Sequence, residues 1–432
     1  MSVTDLRELW PTLSAEERFD AFQQLPRDDA EEFFSSATSR SQAEILERLS
    51  ENQRRLWIRL LPPDDTADVI QELPLDERAT FLGLLDEPTR QEVKALLAYQ
   101  EDRAGGLMNP RFARVRPKMT ADEAIRYVRR QAQNQLETIY YVYVLDDAQR
   151  LLGVLSFREL LTAPAIACVA DIMEKDVIRV GEHDDREAVA KIVSEHDLVA
   201  VPVCAADGKL LGIVTVDDIL DVLQQEATED QQRMGAVQPL EAPYLRTSLL
   251  HMVRKRGGWL AVLFVGEMLT ASAMARYQEE IARAVVLALF VPLIISSGGN
   301  SGSQASTLVI RAMALGQVRL REWWRVVSRE LITGLALGSI LASIGVVRIL
   351  VWQGLFHTYG AHPALIAATV GLSLIGVVLW GTIAGSMLPF VLRRLGFDPA
   401  SASAPFVATL VDVSGLVIYF TIAGLVLRGT LL

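Results

Sequence analysis

Hydrophobic and polar positions divide the chain into two halves. After Gly257, apolar residues form five stretches, near 257–275, 285–310, 331–351, 363–391 and 404–427. Each stretch is long enough, at about 20 residues, to cross a bilayer as a helix. Before Gly257, apolar positions recur at helical or strand spacing between proline, glycine and aspartate. The pattern predicts a water-soluble half followed by a polytopic membrane domain of five α-helical spans.

Residues 1–105 carry a short repeat that predicts an acidic, all-α domain. The segment LPRDDAEEFF at Leu25 recurs as LPPDDTADVI at Leu61, LPLDERATFL at Leu73 and LDEPTRQEVK at Leu85, the last three 12 residues apart. Proline at a helix start, followed by aspartate in the first turn, suits the positive end of the helix dipole. The repeat therefore predicts stacked short helices. Helix capping is the simplest role for each of these acids taken singly.

Residues 106–228 contain a second, longer repeat. YVYVLDDAQRLLGVLSFRELL from Tyr141 aligns with AVPVCAADGKLLGIVTVDDIL from Ala200, 59 residues later. Each copy reads as strand, turn, strand and helix, preceded by a strand and a helix. The repeat predicts two tandem α/β units.

Charge is spread unevenly along the chain. Residues 1–256 hold 46 acids and 31 bases, a net charge of about −15, whereas the rest holds seven acids and eleven arginines, with no lysine. A surface this acidic argues against nucleic-acid binding. Cys168 and Cys204 are isolated and are interpreted as buried small hydrophobes, without a disulfide framework or metal cluster. The amino-terminal segment MSVTDLRELW lacks the pattern of a cleavable signal peptide, so we expect the soluble half to stay in the cytoplasm.

The arginines and lysines predict the orientation of the spans. Ten bases flank the spans on one side: Arg254, Lys255, Arg256, Arg311, Arg319, Arg321, Arg325, Arg329, Arg393 and Arg394. The other side has Arg276, Arg283, Arg348 and Arg428, beside Glu279 and Glu280. We therefore expect the amino terminus inside and the carboxyl terminus outside.

Two polar features lie within the predicted spans. Span two contains the run SSGGNSGSQ from Ser296, which favours either close helix packing or the lining of a watery cavity. Span five contains Asp412, and an ionised carboxylate near a bilayer centre costs roughly 2.5–3.5 kcal/mol. No arginine lies at matching depth, so we interpret Asp412 as facing a hydrated cation path. Glu267 in span one is as consistent with a helix–helix hydrogen bond as with a role in conduction.

An acidic run follows the second α/β copy. Asp217, Asp218, Asp221, Glu226, Glu229 and Asp230 lie within fourteen positions that contain no base. At helical spacing several of these acids share a face and repel one another. A solvated helix face is the usual explanation for such an acidic run. Here the run leads towards span one through a connecting helix, which is predicted within residues 229–256 and runs from about Pro243 to Arg256. Mechanical coupling of the two halves is the resulting hypothesis.

The tandem α/β units resemble a pair of CBS domains. The nucleotide signature of that family matches Gly212, Thr215 and Asp218 in copy two, while copy one has Glu159 in place of the aspartate. The resemblance therefore implies that ATP binding is possible. Combined with the helical repeat and with GGNSGSQAS and PFVATLVDVSG in the membrane half, the whole chain resembles MgtE-type magnesium channels. It implies an all-α domain over 1–105, a CBS pair over 106–228, a connecting plug-type helix over 229–256 and a five-span pore domain over 257–432.

The resemblance also implies roles for individual residues. It implies a homodimer in the bilayer that conducts Mg²⁺ and senses cytoplasmic Mg²⁺. The pore positions are Asp412, Asn300, Ala408, Thr409 and Asp398, with Gly298 and Gly299 in the glycine–asparagine motif. The sensor positions are Asp185, Glu187, Asp197, Asp218, Asp221, Glu226, Glu229 and Asp230, with Glu32, Asp64 and Asp68 in the helical domain. Glu279 and Glu280 would lie at the outer mouth. Ala404 stands where some members carry asparagine.

Three alternatives stay open on the sequence. The cargo is Mg²⁺ or another divalent cation such as Co²⁺, Mn²⁺ or Ca²⁺; an oxygen-only ligand set disfavours Zn²⁺ and Cu⁺. A non-conducting membrane-anchored sensor is the second alternative. The third is an intramembrane metalloprotease, which needs an HExxH helix, but the histidines of the membrane half, His357 and His362, lie in a predicted outer loop. The sequence thus favours a transporter over an enzyme.

Overall fold

A computed structural model describes residues 2–134, 136–240, 244–245, 247–359 and 362–431. Its contacts separate into two compact units, residues 1–226 and residues 227–432. Each unit is described by itself below.

The amino-terminal domain is an array of short helices, as the first repeat predicts. Its helices are α1 Val3–Leu9, α2 Ala15–Gln23, α3 Arg27–Ser35, α4 Ser39–Arg48, α5 Glu51–Ile58, α6 Pro63–Glu72, α7 Leu75–Leu84 and α8 Glu87–Leu96. The helices α6, α7 and α8 begin 12 residues apart, the spacing of the sequence repeat. Aromatic side chains fill the core, where the rings of Phe22 and Phe34 each lie 5.1 Å from the ring of Trp57.

The next segment folds as two copies of one α/β unit. After α9 (Ala104–Leu107), copy one contains β1 Arg114–Val115, α10 Ala121–Gln131, β2 Tyr141–Leu145, β3 Leu151–Ser156 and α11 Phe157–Thr162. After α12 (Val169–Ile172), copy two contains β4 Val180–Gly181, α13 Arg186–Glu195, β5 Ala200–Cys204, β6 Leu210–Thr215 and α14 Val216–Met234. In each three-stranded sheet the first strand runs parallel to the second, which pairs antiparallel with the third.

Equivalent strands in the two copies share one pairing register. Val115 lies opposite Val144 in copy one, and Val180 lies opposite Val203, the residue that aligns with Val144, in copy two. Short bridges, Asn109 with Ile213 and Arg150 with Lys209, link the two copies. The second copy also shares a hydrophobic core with the amino-terminal helices, in which Val189 and Ile219 are buried. The first unit therefore brings α6 and α14 into one packed body.

Five helices of the second unit are long and apolar enough to cross a membrane. They are α15 Leu249–Arg276, α17 Val291–Ala314, α18 Trp323–Phe356, α19 Pro363–Arg394 and α20 Ala404–Val426, with the short α16, Gln278–Arg283, between the first two. Helical turns at Val285–Phe290 and Leu320–Glu322 extend the second and third spans. The five predicted spans are confirmed, and more of α19 is buried than of any other spanning helix.

The connecting helix expected over residues 229–256 is corrected by the structure. The helix α14 continues to Met234, where Gly235 and Ala236 end it, Ala236 with a left-handed φ of 58°. Helix α15 then begins at Leu249 behind the capping side chain of Ser248 and runs unbroken into the first span. Pro243, the predicted start of that helix, lies outside the described residues. Two separate helices, one ending at Met234 and the other beginning at Leu249, therefore replace the predicted single element.

Glycines let α17 and α19 cross at close range. A Cβ on Gly302 would lie 2.8 Å from the carbonyl oxygen of Gly381, and a Cβ on Gly385 would collide with the carbonyl oxygen of Gly302. Gly298 and Gly302, like Gly381 and Gly385, are four residues apart, so each pair lies on one face of its helix. This spacing of small residues is typical of tightly packed membrane helices.

We expect Gly385→Ala to destabilise the membrane domain. The added methyl group meets backbone rather than a movable side chain, so the helices have to separate. Overpacking of this kind costs about 1–3 kcal/mol, and the thermal midpoint of the detergent-solubilised protein should fall. Gly354→Ala on α18 is the matched control, because nothing lies within 4 Å of a Cβ at that position. Equal midpoints for the two variants would contradict the proposed tight crossing.

Candidate functional site

Asp412 lies in the middle of α20, half-buried among apolar helices. Its neighbour Val411 is buried, and α20 contacts α15, α17 and α19. Among the residues that the structure describes, no hydrogen bond or ion pair engages the Asp412 carboxylate. A carboxylate at this depth without a partner is unfavourable unless water or a cation reaches it. The structure therefore leaves this carboxylate available to a ligand.

The glycine-rich helix α17 forms one wall beside Asp412. A Cβ on Gly299 would lie at ordinary contact distance, 3.4 Å from Ala408 and 3.5 Å from Oδ1 of Asp412, and its absence leaves this space open. The next residue, Asn300, is exposed, and its amide group lies 3.5 Å from the hydroxyl of Ser296. Thr409 is half-buried and donates its hydroxyl to the carbonyl of Pro405. Gly299 and Ala408 are thus assembled directly around Asp412.

Other polar residues of α17 hold the start of α20. Ser303 donates to the carbonyl oxygen of Ala404 at 3.0 Å, and Ser306 donates to that of Ala402 at 2.9 Å. From the first span, the indole of Trp259 donates to Ser403. The polar run of α17 therefore combines helix packing with an exposed polar group, which were alternatives on the sequence alone. Its glycines and serines pack and bond, while its asparagine is exposed.

The remaining carboxylates of the membrane half differ from Asp412. Asp398 caps the turn Pro399–Ser401 and forms an ion pair with Arg233, which also contacts Glu229 at 3.0 Å. Glu267 is exposed, and its negative charge acts on Asp412. Its neighbour Gly266 packs on Thr409. Glu279 and Glu280 both lie on α16, where Glu279 is highly exposed and 4.0 Å from Arg283.

A second acidic group forms in the first unit, where α6 meets α14. It comprises Asp64, Asp65 and Asp68 from α6, Asp217, Asp218 and Asp221 from α14, and Glu137; we call it the acidic cluster. The amide of Asn109 bridges two members, donating to Asp64 at 3.0 Å and to Glu137 at 2.7 Å. Asp64 is only 8% exposed. The cluster therefore concentrates negative charge with few hydrogen-bond donors.

Burial and like charges shift the pKa values in the acidic cluster. Burial, reinforced by Asp217 and Asp221, raises the pKa of Asp65 to about 6. Burial also raises the pKa of Asp218 to about 7, with Asp217, Asp65 and Glu137 adding to the shift against a hydrogen bond from Thr215. Desolvation and the like charges of Asp65 and Asp218 raise the pKa of Asp68 to about 8, but this residue is exposed, so solvent screens these charges and the shift counts for less than that of Asp218. The pKa of Asp64 is raised well above its usual range by burial and by Asp218.

These shifts predict that the metal-free soluble half is more stable at lower pH. An unfolded aspartate has a pKa near 4, whereas Asp65 and Asp218 have pKa values of about 6 and 7 when folded. The folded state binds protons more tightly, so stability is lost as the pH rises through this range. For residues 1–234 we expect the melting temperature to rise by at least about 4 °C from pH 8 to pH 5.

The measurement is thermal unfolding of residues 1–234, followed by circular dichroism in a chelating buffer. Asp65→Asn should raise stability at pH 8 and flatten the pH dependence. The control is Glu195→Gln, at an exposed residue whose ion pair with Lys191 lies outside the acidic cluster. A melting temperature that falls steadily between pH 8 and pH 5 would count against the shifts.

Several predicted sensor residues lie outside the acidic cluster and are paired with arginine. Asp185 lies 3.7 Å from Arg103, and Glu226 lies 2.5 Å from Arg186. Glu32 is 66% exposed and lies 3.6 Å from Arg7. Three more are placed as follows: Glu187 is exposed on α13, Asp197 has a left-handed φ of 51°, and Asp230 lies on α14 beside Glu229. The structure thus brings Asp64, Asp68, Asp218 and Asp221 together, but not the others.

Sequence reasoning gave no sensor role to Asp65, Asp217, Glu137 and Asn109 of the acidic cluster, although Asp217 belongs to the acidic run, and it missed Arg233 beside Asp398. The doubled aspartates in LPPDD and TVDD signalled the first two, but Glu137 and Asn109 lie outside the aligned segments of the repeats. Within the described ranges, no group of three or more His, Cys, Asp or Glu side chains is arranged to hold a metal ion. The acids therefore share a region without converging on one point.

The signature Gly212, Thr215 and Asp218 is formed in copy two. The Thr215 hydroxyl donates to Oδ2 of Asp218 at 2.9 Å, and Gly212 packs on the Asn109 carbonyl, where a Cβ would lie at 2.8 Å. In copy one, Ser156 and Glu159 make the equivalent contact at 2.8 Å. Asp218 therefore belongs both to this signature and to the acidic cluster.

Comparison with known proteins gives matches along most of the chain. Residues 291–422 match the MgtE model, described as a divalent cation transporter, and residues 1–102 match the MgtE intracellular N domain. Residues 104–166 and 169–225 each match the CBS domain. These ranges cover the helical array, both α/β copies and four of the spanning helices.

Among curated proteins, the chain is 42% identical over 428 residues to the magnesium transporter MgtE of Thermus thermophilus, covering 98% of this chain and 93% of that protein. It is 28% identical to the magnesium transporter MgtE of Bacillus subtilis, covering 97% and 90% of the two chains. Among solved structures, the cytosolic domain of the Mg²⁺ channel MgtE in complex with ATP is 41% identical. It aligns with 51% of this chain and 90% of that chain at a TM-score of 0.48.

Proposed function

Because this chain belongs to the MgtE family of divalent cation transporters, we propose that it conducts Mg²⁺ across the membrane along a path past Asp412. It is a multi-pass membrane transporter and not an enzyme. The observation that carries the proposal is the half-buried carboxylate of Asp412, which faces the space left by Gly299 and has no partner among the described residues.

The chemistry of Mg²⁺ explains why one carboxylate in each chain suffices. Mg²⁺ sheds water reluctantly and is held through one or two carboxylates with several waters retained. In a homodimer with its axis along the pore, two copies of Asp412 would face the same hydrated ion. The ion offsets the charge that the bilayer penalises, and Asn300, Thr409 and nearby carbonyls would bind its waters. Ala408 would set the width beside Asp412.

Gating by cytoplasmic Mg²⁺ is the second part of the proposal. The acidic cluster holds like charges at sites where pKa values are raised, so its charged form is under strain when no cation is present. Mg²⁺ between these acids would replace repulsion with bridging and hold the soluble half in a compact, closed state. The ion-paired acids Asp185, Glu226, Glu229 and Asp398 would join only if Mg²⁺ displaced their arginines. Glu32, Glu187, Asp197 and Asp230 remain proposed sensor residues.

The remaining parts concern assembly and ligands. We propose an inner-membrane homodimer with a cytoplasmic amino terminus, the orientation that the distribution of bases favours. Glu279 and Glu280 on α16 would then line the outer mouth. The signature Gly212, Thr215 and Asp218 supports ATP binding at copy two, where ATP would compete with the contact between Thr215 and Asp218.

A flux assay tests the transport proposal. Purified protein in proteoliposomes should admit Mg²⁺ to an entrapped Mg²⁺-sensitive dye, and the rate should exceed that of protein-free vesicles. Separate assays with Co²⁺, Mn²⁺ and Ca²⁺, each with its own dye, measure selectivity. If one of these ions crossed faster than Mg²⁺, that ion would be assigned as the cargo instead. Absence of flux for every ion would favour a membrane-anchored sensor.

A further inference from the structure

A basic concavity lies on the first α/β copy, between β1 and α10. It encloses about 680 Å³ and is lined by Arg116, Lys118, Arg126, Arg129 and Arg130, together with Glu123. A volume of this size is in the range of small-molecule sites. Neither the proposed ion path nor the acidic cluster includes any of these residues. We call this site the basic concavity.

The charge of this region is opposite to that of the soluble half. Residues 111–130 contain seven bases and two acids, within a half that carries a net charge of about −15. The equivalent segment of copy two, residues 176–195, contains three bases and six acids. Counted from the capping residues Thr120 and Asp185, the positions of Arg126, Arg129 and Arg130 hold Lys191, Ser194 and Glu195. The α/β fold therefore does not require these bases.

Internal ion pairs leave much of the positive charge unmatched. Arg126 lies 2.7 Å from Asp122, and Arg116 lies 3.6 Å from Asp147. Within the part of the chain that the structure describes, Lys118 and Arg129 have no hydrogen-bonding or ionic partner. Even when Asp122 and Asp147 are counted with Glu123, bases outnumber acids around the concavity. A ligand with several negative charges would relieve this repulsion.

We propose that the basic concavity binds a small soluble polyphosphate anion, either free or as the phosphate chain of a nucleotide. Guanidinium groups recognise phosphate oxygens through paired hydrogen bonds, and several neighbouring arginines favour several linked phosphates. The guanidinium group of Arg130 lies over the ring of Tyr127 at 5.6 Å from its centroid, so that face of the ring is not open to a stacked base. The site therefore recognises the phosphate chain and not the base, and it is separate from the signature around Thr215.

The test is calorimetric titration of the full-length protein in neutral detergent with inorganic tripolyphosphate in Mg²⁺-free buffer. We expect saturable binding that weakens with added NaCl. Arg126→Gln combined with Arg129→Gln should weaken binding about tenfold or more, since each removes a charge-assisted contact. Both side chains are exposed, so the variant should keep the wild-type thermal midpoint. Lys191→Gln, at the equivalent position of copy two, should bind as wild type does.

Two further measurements distinguish this site from the signature around Thr215 and from a lipid-binding site. If Thr215→Ala weakens tripolyphosphate binding and the double arginine variant does not, the phosphate chain binds at the signature and the proposal is overturned. Soluble dihexanoyl phosphatidylglycerol tests a lipid headgroup as the source of phosphate. If this lipid displaced bound tripolyphosphate at a lower concentration than tripolyphosphate needs for half-saturation, the site would be assigned to lipid instead. Undetectable binding of tripolyphosphate to the wild-type protein would also overturn the proposal.

Discussion

Asp412→Asn is expected to slow Mg²⁺ uptake by at least about a hundredfold, which corresponds to about 2.8 kcal/mol. The substitution keeps the size of the side chain and removes the charge that offsets the dehydration and confinement of a divalent ion. Attraction between opposite charges a few ångströms apart is worth several kcal/mol at an effective dielectric constant of about 20. The rate of Mg²⁺-dye flux in proteoliposomes measures the change.

Controls separate loss of conduction from loss of folding. Asp412 has no hydrogen-bonded or ionic partner among the described residues, so Asp412→Asn should not lower the thermal midpoint. Thr421→Val, on the same helix, removes an exposed hydroxyl that donates to the Val417 carbonyl, and it should conduct at the wild-type rate. Asp412→Glu should retain part of the flux. If Asp412→Asn conducted with wild-type rate and selectivity, Asp412 would not line the ion path.

Asp65→Asn combined with Asp68→Asn is expected to raise the cytoplasmic Mg²⁺ concentration needed for half-maximal closure by about tenfold or more, or about 1.4 kcal/mol. Both aspartates face the acids of α14, and both have pKa values raised by burial and by those neighbours. Neutral amides remove the repulsion that Mg²⁺ relieves and the charge that binds it. The closed state therefore gains less from each bound ion.

Current across excised membrane patches, recorded over a series of internal Mg²⁺ concentrations, measures this shift. The matched control is Glu195→Gln, at an exposed glutamate that pairs with Lys191 away from the acidic cluster. It should close at the wild-type concentration. Closure of the double variant at an unchanged Mg²⁺ concentration would assign gating to other acids, such as those now paired with Arg186 and Arg233.

The membrane domain shows which structural features the hydrophobic pattern predicts. Five spans follow from apolar stretches alone, because a bilayer requires about 20 apolar residues per helix and satisfied backbone groups. The 12-residue repeat similarly predicted the starts of α6, α7 and α8. The end of α14 at Met234 was missed. It depends on the backbone conformation of the next residues, in which Ala236 has a left-handed φ, and the preceding residues of the helix carry no helix-breaking signal.

The sequence by itself determined the order of domains, the five spans and the separation of Asp412 from any arginine along the chain, because these depend on local composition and on repeats along the sequence. Only the tertiary structure decided which acids meet. Asp64 and Asp218 are distant in sequence, and Asp398 is neutralised by Arg233, a residue 165 positions earlier. Such pairings depend on how helices pack, and one aspartate in a helix looks like any other until its neighbours across the fold are known.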